Sequence, residues 1–320
     1  MFSAFVKALL SVMLLLVGNV AVKAQTDVKF DENVRYSQWV LDSRLGDFYG
    51  NTNIMGFATY NRDLTVKSSF PTWKKGDLSG NKTIALDYVA GLVAKATLEA
   101  AILYKDYDWS MPWFKSVESY ANHGGVSVPT GGGSLDDLNG AKMYFGLKTL
   151  AEGKFKSIAE STTASNAATQ LGKALTGLGA HNTGYSFDTG TTVNSVDVGG
   201  GWFHKGTYTN QMWLDGQYMG PALLAQLIND YSEYSSIARS VDADWDLIAK
   251  QFTIVWNMCW DESAELLYHA FSSEKTILGQ VTPRFGLLVG LILVIGQVCH
   301  QADTLPLSGD VPRDGISLRS

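Results

Sequence analysis

The fold class is decided by the stretch Thr83-Ile-Ala-Leu-Asp-Tyr-Val-Ala-Gly-Leu-Val-Ala-Lys-Ala-Thr-Leu-Glu-Ala-Ala-Ile-Leu-Tyr104. Its apolar side chains recur at close to every 3.6 residues, which is the period of an α-helix. Because alanine and leucine occupy much of the stretch, the predicted helix is buried on most of its sides.

Similar patterns follow along the chain, separated by segments rich in Gly, Ser, Thr and Asn, whereas period-2 alternation is scarce. The sequence therefore predicts an all-α fold of helical hairpins arranged in a ring or solenoid. The further predicted helices cover about 110–122, 136–152, 156–176, 211–230 and 243–258.

The composition excludes several classes of protein. The chain has 320 residues, of which 46% are hydrophobic, so it is not a disordered protein or a disulfide-stapled miniprotein. Its 25 basic and 31 acidic residues give a net charge of −6, which predicts no nucleic-acid partner. Two cysteines, Cys259 and Cys299, are too few for a disulfide framework, and their pairing is left open.

The first 24 residues read as a secretory signal. Lys7 precedes an apolar run over residues 8–17, and small side chains flank Lys23 just before a cleavage site at Gln25. The run is shorter than the roughly 20 residues that span a bilayer, so no stable membrane anchor is expected. The sequence predicts a protein that is exported to the periplasm or the extracellular space.

The candidate catalytic segment is Trp202–Met219, where aromatic side chains, a histidine and one carboxylate lie close together. If a helix begins near Asn210, Asp215 shares a face with Met212 and Tyr218. Such surroundings favour the protonated carboxyl that a general acid requires. An Asp that merely forms a hydrogen bond to a nearby loop fits the spacing equally well.

A second acidic pair is Asp136-Asp137, which follows the triple-glycine loop. One of these carboxylates is explained as a helix cap, which leaves the other for function. His204 and His269 are further candidates. No HExxH motif, CxxC motif or clustered His/Cys spacing is present, so neither a metal nor another cofactor is predicted.

At these residues the chain resembles the unsaturated glucuronyl and rhamnogalacturonyl hydrolases, glycoside hydrolase families 88 and 105. The resemblance runs from about residue 35 to 276, and its most specific part is the third motif. The matching motifs, in order, are Leu86–Val93, Leu135–Gly140, Trp202–Lys205 leading to Asn210–Met219, and Tyr268–Phe271.

The resemblance implies an (α/α)6 barrel over residues 25–276 and a hydrolase that needs no cofactor. Its substrate would be an unsaturated uronic-acid oligosaccharide left by a polysaccharide lyase, derived from pectin or rhamnogalacturonan. By resemblance, Asp215 is the general acid and base that hydrates the C4=C5 double bond. Asp137 matches the second acidic position, and the substrate-binding residues are His204, Trp213, Met212, His269 and Tyr88.

The resemblance stops before residues 277–320, whose composition differs and whose only aromatic residue is Phe285. Reading the possible codons one base out of frame recovers two motifs that the family has at this point. We therefore expect a frameshift near Thr276, with an aberrant tail in place of the end of the barrel. By resemblance, the missing part carries an Arg and a Trp that hold the substrate, so this chain is expected to be inactive.

Two other functions stay open at this stage. One is an (α/α)6 sugar epimerase, which requires paired histidines in its pocket. The other is a carbohydrate-binding protein that keeps stacking aromatics but transfers no proton. The sequence does not predict which sugar follows the unsaturated uronate.

Overall fold

The computed structural model describes residues 35–36, 38, 57–68, 86, 88–122, 127–236 and 239–274. The predicted signal segment 1–24, the tail 277–320 and Cys299 lie outside the described residues. Within the described ranges the elements are, in chain order, β1 (Thr59–Tyr60), β2 (Val66–Ser68), α1 (Tyr88–Tyr104), α2 (Tyr107–Asn122), α3 (Leu135–Asn139), α4 (Met143–Glu152), α5 (Thr163–Gly184), β3 (Thr192–Val193), β4 (Val196–Asp197), β5 (Gln211–Trp213), α6 (Leu214–Met219), α7 (Pro221–Asp230), α8 (Val241–Cys259), β6 (Trp260–Asp261), β7 (Leu266–Leu267) and β8 (Ala270–Ser272). Short 3-10 turns cover Gly140–Lys142 and Tyr234–Ser236.

The predicted all-α fold class is confirmed, because helices supply most of the described core. The strands are two or three residues long and pair only in twos within the described ranges. The helix predicted at 83–104 is α1, and the one predicted at 243–258 is α8.

Two helix predictions are wrong in their bounds. The helix predicted at 156–176 is α5, which covers Thr163–Gly184. Residues 211–230 do not form one helix, because 211–213 are the strand β5, which pairs antiparallel with β8. The helix begins only at Leu214, and Gly220 separates α6 from α7. Trp213 has extended φ and ψ angles of −117° and 144°, which place the strand directly before the helix.

Helices adjacent in sequence pack on one another as hairpins. Helices α1 and α2 are joined only by Lys105 and Asp106, and α1 also packs on α4, which packs on α5. At the start of α1, the backbones approach so closely that a Cβ on Gly91 would collide with Gly140. This packing is the arrangement that the prediction of a barrel of helical hairpins requires.

Apolar side chains form two buried clusters. The main core lies between α1, α2, α4, α5 and α7 and includes Leu98, Tyr120, Leu147 and Leu223. The second core joins the loop after α5 to β5, α8 and β8 through Phe187, Phe203, Met212 and Phe271. The candidate catalytic segment crosses from the second core to the main core, so both cores position it.

Among the described residues, none of the helices combines the length and hydrophobicity that crossing a membrane requires.

Candidate active site

Two segments that are distant in the sequence meet at the site. The amide of Leu135 donates to the carbonyl of His204 at 3.1 Å, and the amide of Gly206 donates to the carbonyl of Gly133 at 2.8 Å. Ser134 and Lys205 form a single antiparallel bridge between them. The start of helix α3, with its acidic pair, is therefore held against the segment that carries His204.

A second pairing brings the end of the described chain to the same place. Strand β5 pairs with β8 so that Trp213 lies opposite Ala270. The amide of Leu214 then donates to the carbonyl of His269 at 2.7 Å. This pairing sets His269 beside Trp213 and leaves Asp215 in the first turn of α6.

His204 is at the centre of the site, with only 4% of its surface exposed. Its Nε2 lies 3.2 Å from Oδ1 of Asp136, and its Nδ1 lies 3.7 Å from Oδ1 of Asp215. One buried imidazole therefore lies between two carboxylates from different helices.

Asp136 is held by two partners. Its second oxygen, Oδ2, lies 2.5 Å from Nζ of Lys205. Burial by itself would raise the pKa of the Asp136 carboxyl, but the hydrogen bonds with His204 and Lys205 outweigh burial and bring this pKa to about 2. The same ion pair raises the pKa of Lys205. Asp136 is thus an ionised carboxylate at any physiological pH.

Asp215 presents its two oxygens to different surroundings. Its side chain is 42% exposed, yet Oδ1 is inaccessible and has no hydrogen-bond partner among the described residues. The exposure therefore belongs to the rest of the side chain, including Oδ2. One oxygen faces His204, and the other is available to a ligand.

Aromatic rings surround the histidine. Trp213 lies 5.5 Å from the His204 ring, 5.5 Å from Tyr208 in a stacked geometry and 5.0 Å from His269 edge to face, all measured between centroids. Tyr208 is 37% exposed. The exposed part of this ring is a flat apolar surface on which a ligand could stack.

A buried histidine from α5 supports this arrangement from behind. The ring nitrogens of His181 face the carbonyl oxygens of Gly132 and Phe203, the latter at 2.7 Å. Burial lowers the pKa of His181, while these two backbone contacts act in the opposite direction. His181 thus fixes the glycine loop and the residue before His204 relative to one another.

A comparison with protein families matches this part of the chain. Residues 188–279 match the family model described as Glycosyl Hydrolase Family 88. The match covers 92 of the 320 residues, so the similarity to family 88 is to this segment. The resemblance that the sequence motifs indicated is confirmed here.

The family 88 segment contains His204, Lys205, Trp213, Asp215 and His269. Three predicted or observed site residues precede this segment in the chain: Asp136, Asp137 and Tyr88. They lie on α3 and α1, two helices that pack on one another. A solved glycoside hydrolase from family 105 of C. acetobutylicum ATCC 824 is similar to 69% of this chain, with 19% sequence identity and a TM-score of 0.44. The chain covers only 54% of that protein's length. No match was found among curated proteins.

The structure brings together four of the predicted site residues: Asp215, His204, Trp213 and His269. Tyr88 is 38% exposed at the start of α1, one turn before the contact of Gly91 with Gly140. Asp137 is partly exposed, and its charge contributes to the raised pKa of Lys205. It is Asp136, however, whose carboxylate contacts His204.

The prediction that Met212 contacts the substrate is corrected by its position. Its side chain is fully buried, with 0% exposure, in the second core. Because residues alternate in direction along a strand, Met212 faces the core while its neighbour Trp213 faces the aromatic cluster. The predicted helix from Asn210, which would have put Met212 and Asp215 on one face, is absent for the same reason.

Sequence reasoning missed Asp136, Lys205 and Tyr208. Lys205 and Tyr208 stand within the most specific motif, next to His204, so their spacing could have drawn attention to them. The sequence explains one of Asp136 and Asp137 as a helix cap without deciding which, and only Asp137 matches a functional position by resemblance. In the structure Ser134 is the N-cap residue of α3, and the Asp136 side chain lies against His204.

No group of three or more His, Cys, Asp or Glu side chains in the described part of the chain has the arrangement of a metal site. Cys259 is buried, which raises the pKa of its thiol to about 12.

Proposed function

We propose that this protein is a glycoside hydrolase that acts on unsaturated uronyl oligosaccharides, with Asp215 as its general acid and base. The observation that carries the proposal is the Asp215 carboxyl itself, with one oxygen against His204 and the other accessible beside stacked aromatic rings. The family 88 match of the surrounding segment supports the same reaction class.

In this reaction Asp215 donates a proton to C4 of the vinyl ether and accepts a proton from the water that adds at C5. The product is a hemiketal at C5, which opens to a ketone and leaves a hemiacetal at C1. The hemiacetal collapses to an aldehyde and releases the next sugar as an alcohol. Asp215 ends in the protonated state in which it began, so one carboxyl serves both steps. No covalent glycosyl intermediate forms, and the usual two-carboxylate spacing of glycosidases is not required.

The remaining residues bind and orient the sugar in this proposal. Trp213 and Tyr208 supply stacking faces, and His269 lies at the edge of Trp213. Asp137 is the second acidic position and would hold sugar hydroxyls. The substrate class that fits best is pectin or rhamnogalacturonan digested by a lyase, because the motifs resemble hydrolases of those products.

The test is the loss of the ultraviolet absorbance of the C4=C5 bond. In the form with the restored reading frame after Thr276, Asp215→Asn is expected to lower turnover by about 10²–10⁴-fold or more while substrate binding persists, because the amide cannot transfer the proton. Asp246→Asn, at an exposed position on α8, is the matched control and should leave turnover unchanged. In that restored form, turnover by Asp215→Asn close to that of the protein without the substitution would refute the proposal.

The assay should be run on the 320-residue chain and on a form with the restored reading frame after Thr276. Because positioning contributes about 7–11 kcal/mol to catalysis, we expect only the restored form to turn over substrate well. Equal rates in both forms would show that the predicted Arg and Trp motif is dispensable. Absence of turnover in both forms would contradict the proposed activity.

A sugar epimerase is the second candidate, and one observation favours it. His204 and His269 both approach Trp213, so two imidazoles lie at one site. An epimerase would invert a saturated sugar and leave the absorbance of the C4=C5 bond unchanged. Incubating the protein with saturated N-acetylated and neutral hexoses, and following epimer formation, separates the two functions.

A further inference from the structure

Two buried polar atoms face one another without a conventional hydrogen bond. Nδ1 of His204 and Oδ1 of Asp215 are 3.7 Å apart, which is too long for a hydrogen bond. Neither atom has another partner among the described residues, and both are inaccessible to solvent. A shift of a few tenths of an ångström would let these two atoms satisfy one another, and no other group among the described residues is in place to do so.

The protonation of Nε2, on the other side of the imidazole, follows from the groups around it. The low pKa of Asp136 keeps its carboxylate ionised, and an ionised carboxylate only accepts hydrogen bonds. The ammonium of Lys205, which only donates, occupies the second oxygen of the same carboxylate. Nε2 of His204, at 3.2 Å from Oδ1 of Asp136, must therefore be the donor.

We propose that Lys205 and Asp136 together hold a proton on Nε2 of His204, so that Nδ1 shares a single proton with Oδ1 of Asp215. Lys205 and Asp136 are positioning residues, since both act through His204. The inference rests on the proposed function only for its consequence in catalysis. The arrangement of protons follows from the contacts themselves.

This arrangement has a consequence for Asp215. With Nδ1 as an acceptor, His204 takes up a hydrogen bond from a protonated Oδ1 of Asp215, and a half-turn of the carboxyl group about the Cβ–Cγ bond then presents this proton to a ligand. If Nδ1 instead carried a fixed N–H, it would donate to the carboxylate and favour the ionised form. The identity of the protonated ring nitrogen thus decides whether Asp215 begins the reaction as an acid.

The direct test is the ¹⁵N chemical shift of the His204 ring in the uniformly labelled 320-residue chain, across the pH range in which it stays folded. Loss of its signals in His204→Gln assigns them, and His269→Gln is the matched control. We expect Nε2 to remain protonated throughout and Nδ1 alone to change its protonation. A ring with bare Nε2 and protonated Nδ1 would overturn the inference, and this measurement requires no Asp136 or Lys205 variant to fold.

A pair of variants makes the test sharper. In Asp136→Asn, Lys205 should attract the amide oxygen and turn the amide NH2 toward Nε2. His204 would then be forced into the Nδ1–H form. In Asp136→Asn with Lys205→Met, the amide is free to turn its oxygen back to Nε2, and the original form should return.

Turnover should change with the protonation of the His204 ring. It is measured in whichever form is active, the 320-residue chain or the form with the restored reading frame. We expect Asp136→Asn to lower kcat by about 10²-fold, a general-acid effect, and the double variant to recover part of this loss. Lys148→Met, which removes an exposed ion pair with Glu152, is the control for loss of a lysine. A double variant with the same ring protonation as Asp136→Asn would refute the role of Lys205.

Different experimental results would contradict this inference and the proposed function. The expected ring protonation without any hydration activity would support this inference and contradict the proposed function. Loss of turnover in Asp215→Asn together with bare Nε2 in the unmutated chain would support the proposed function and contradict this inference.

Discussion

At the scale of single residues, the ion pair of Asp136 with Lys205 is a buried charge arrangement whose contribution to stability depends on pH. The pKa of Asp136 in the folded chain, about 2, lies below the ordinary value of 3.8. A carboxyl with a depressed pKa stabilises the fold above its ordinary pKa, and this stabilisation is lost as the pH falls through the folded value.

We therefore expect Asp136→Asn to be less stable than the unmutated chain at pH 6, where the carboxylate is ionised in both the folded and unfolded states. The difference should stay constant down to about pH 4 and shrink between about pH 4 and pH 2. Urea unfolding at pH 6, 4 and 3 measures it, with Asp246→Asn as the control. A difference that grows on acidification would contradict the ionised state of Asp136.

The choice between Asp136 and Asp137 shows what a sequence cannot decide about a site. Consecutive residues on a helix point about 100° apart, so only one of the pair can face a given neighbour. Which one does so depends on how α3 sits against residues 204–206, a contact made by distant backbone. Trp213 and Asp215, by contrast, are close in the sequence, so their common position at the site could be predicted, whereas the catalytic role of Asp215 stays a prediction.

At the scale of elements, the loop before α3 carries a glycine that cannot be replaced without strain. Gly132 has a φ of +64°, and a Cβ there would collide with the carbonyl of Gly177 and lie 2.6 Å from the amide of His181. Its own carbonyl contacts the His181 ring. The loop and the middle of α5 therefore touch through backbone.

Gly132→Ala is expected to lower the free energy of unfolding by more than about 2 kcal/mol, because both the backbone angle and the contact become unfavourable. Gly131→Ala is a close control, since a Cβ at Gly131 meets nothing within 4 Å. Urea unfolding of the two variants checks the expectation. Equal losses in both would mean that the loop does not depend on its contact with α5.

Most helices could be located from the sequence because the 3.6-residue period is a local signal, although α5 (Thr163–Gly184) begins seven residues after the predicted start at 156 and ends eight residues after the predicted end at 176. Strand β5 was not, since three residues are too few to show alternation and its partner β8 lies far along the chain. The helical pattern of residues 214–230 then extended the prediction back across it. The misplacement of Met212 is a direct result, because a strand turns alternate residues to opposite faces.

At the scale of the whole molecule, the two cores meet at the candidate active site. The main core is built by the helices, whereas the second core depends on the pairing of β5 with β8 and on the packing of α8. Met212 lies in the second core, directly before Trp213. Loss of its side chain should therefore reduce stability without removing a substrate contact.

Met212→Ala is expected to lower the free energy of unfolding by about 2–5 kcal/mol, the usual range for emptying a buried position. Leu103→Ala is the control, because that side chain is 72% exposed and should cost less than about 0.5 kcal/mol. Urea unfolding gives the stability, and titration with an unsaturated disaccharide gives the affinity. Unchanged stability together with a weakened affinity would instead indicate that Met212 contacts the substrate.

The pairings of residues 133–135 with 204–206, and of β5 with β8, also bear on the order of folding. Both join segments separated by whole helices, and closing such long loops costs entropy before any contact is gained. We expect the helices to form first and the catalytic groups to meet late. The amide protons of β5 would then exchange with solvent through openings that leave α4 and α5 intact, and a partly folded chain would be helical but without an assembled site.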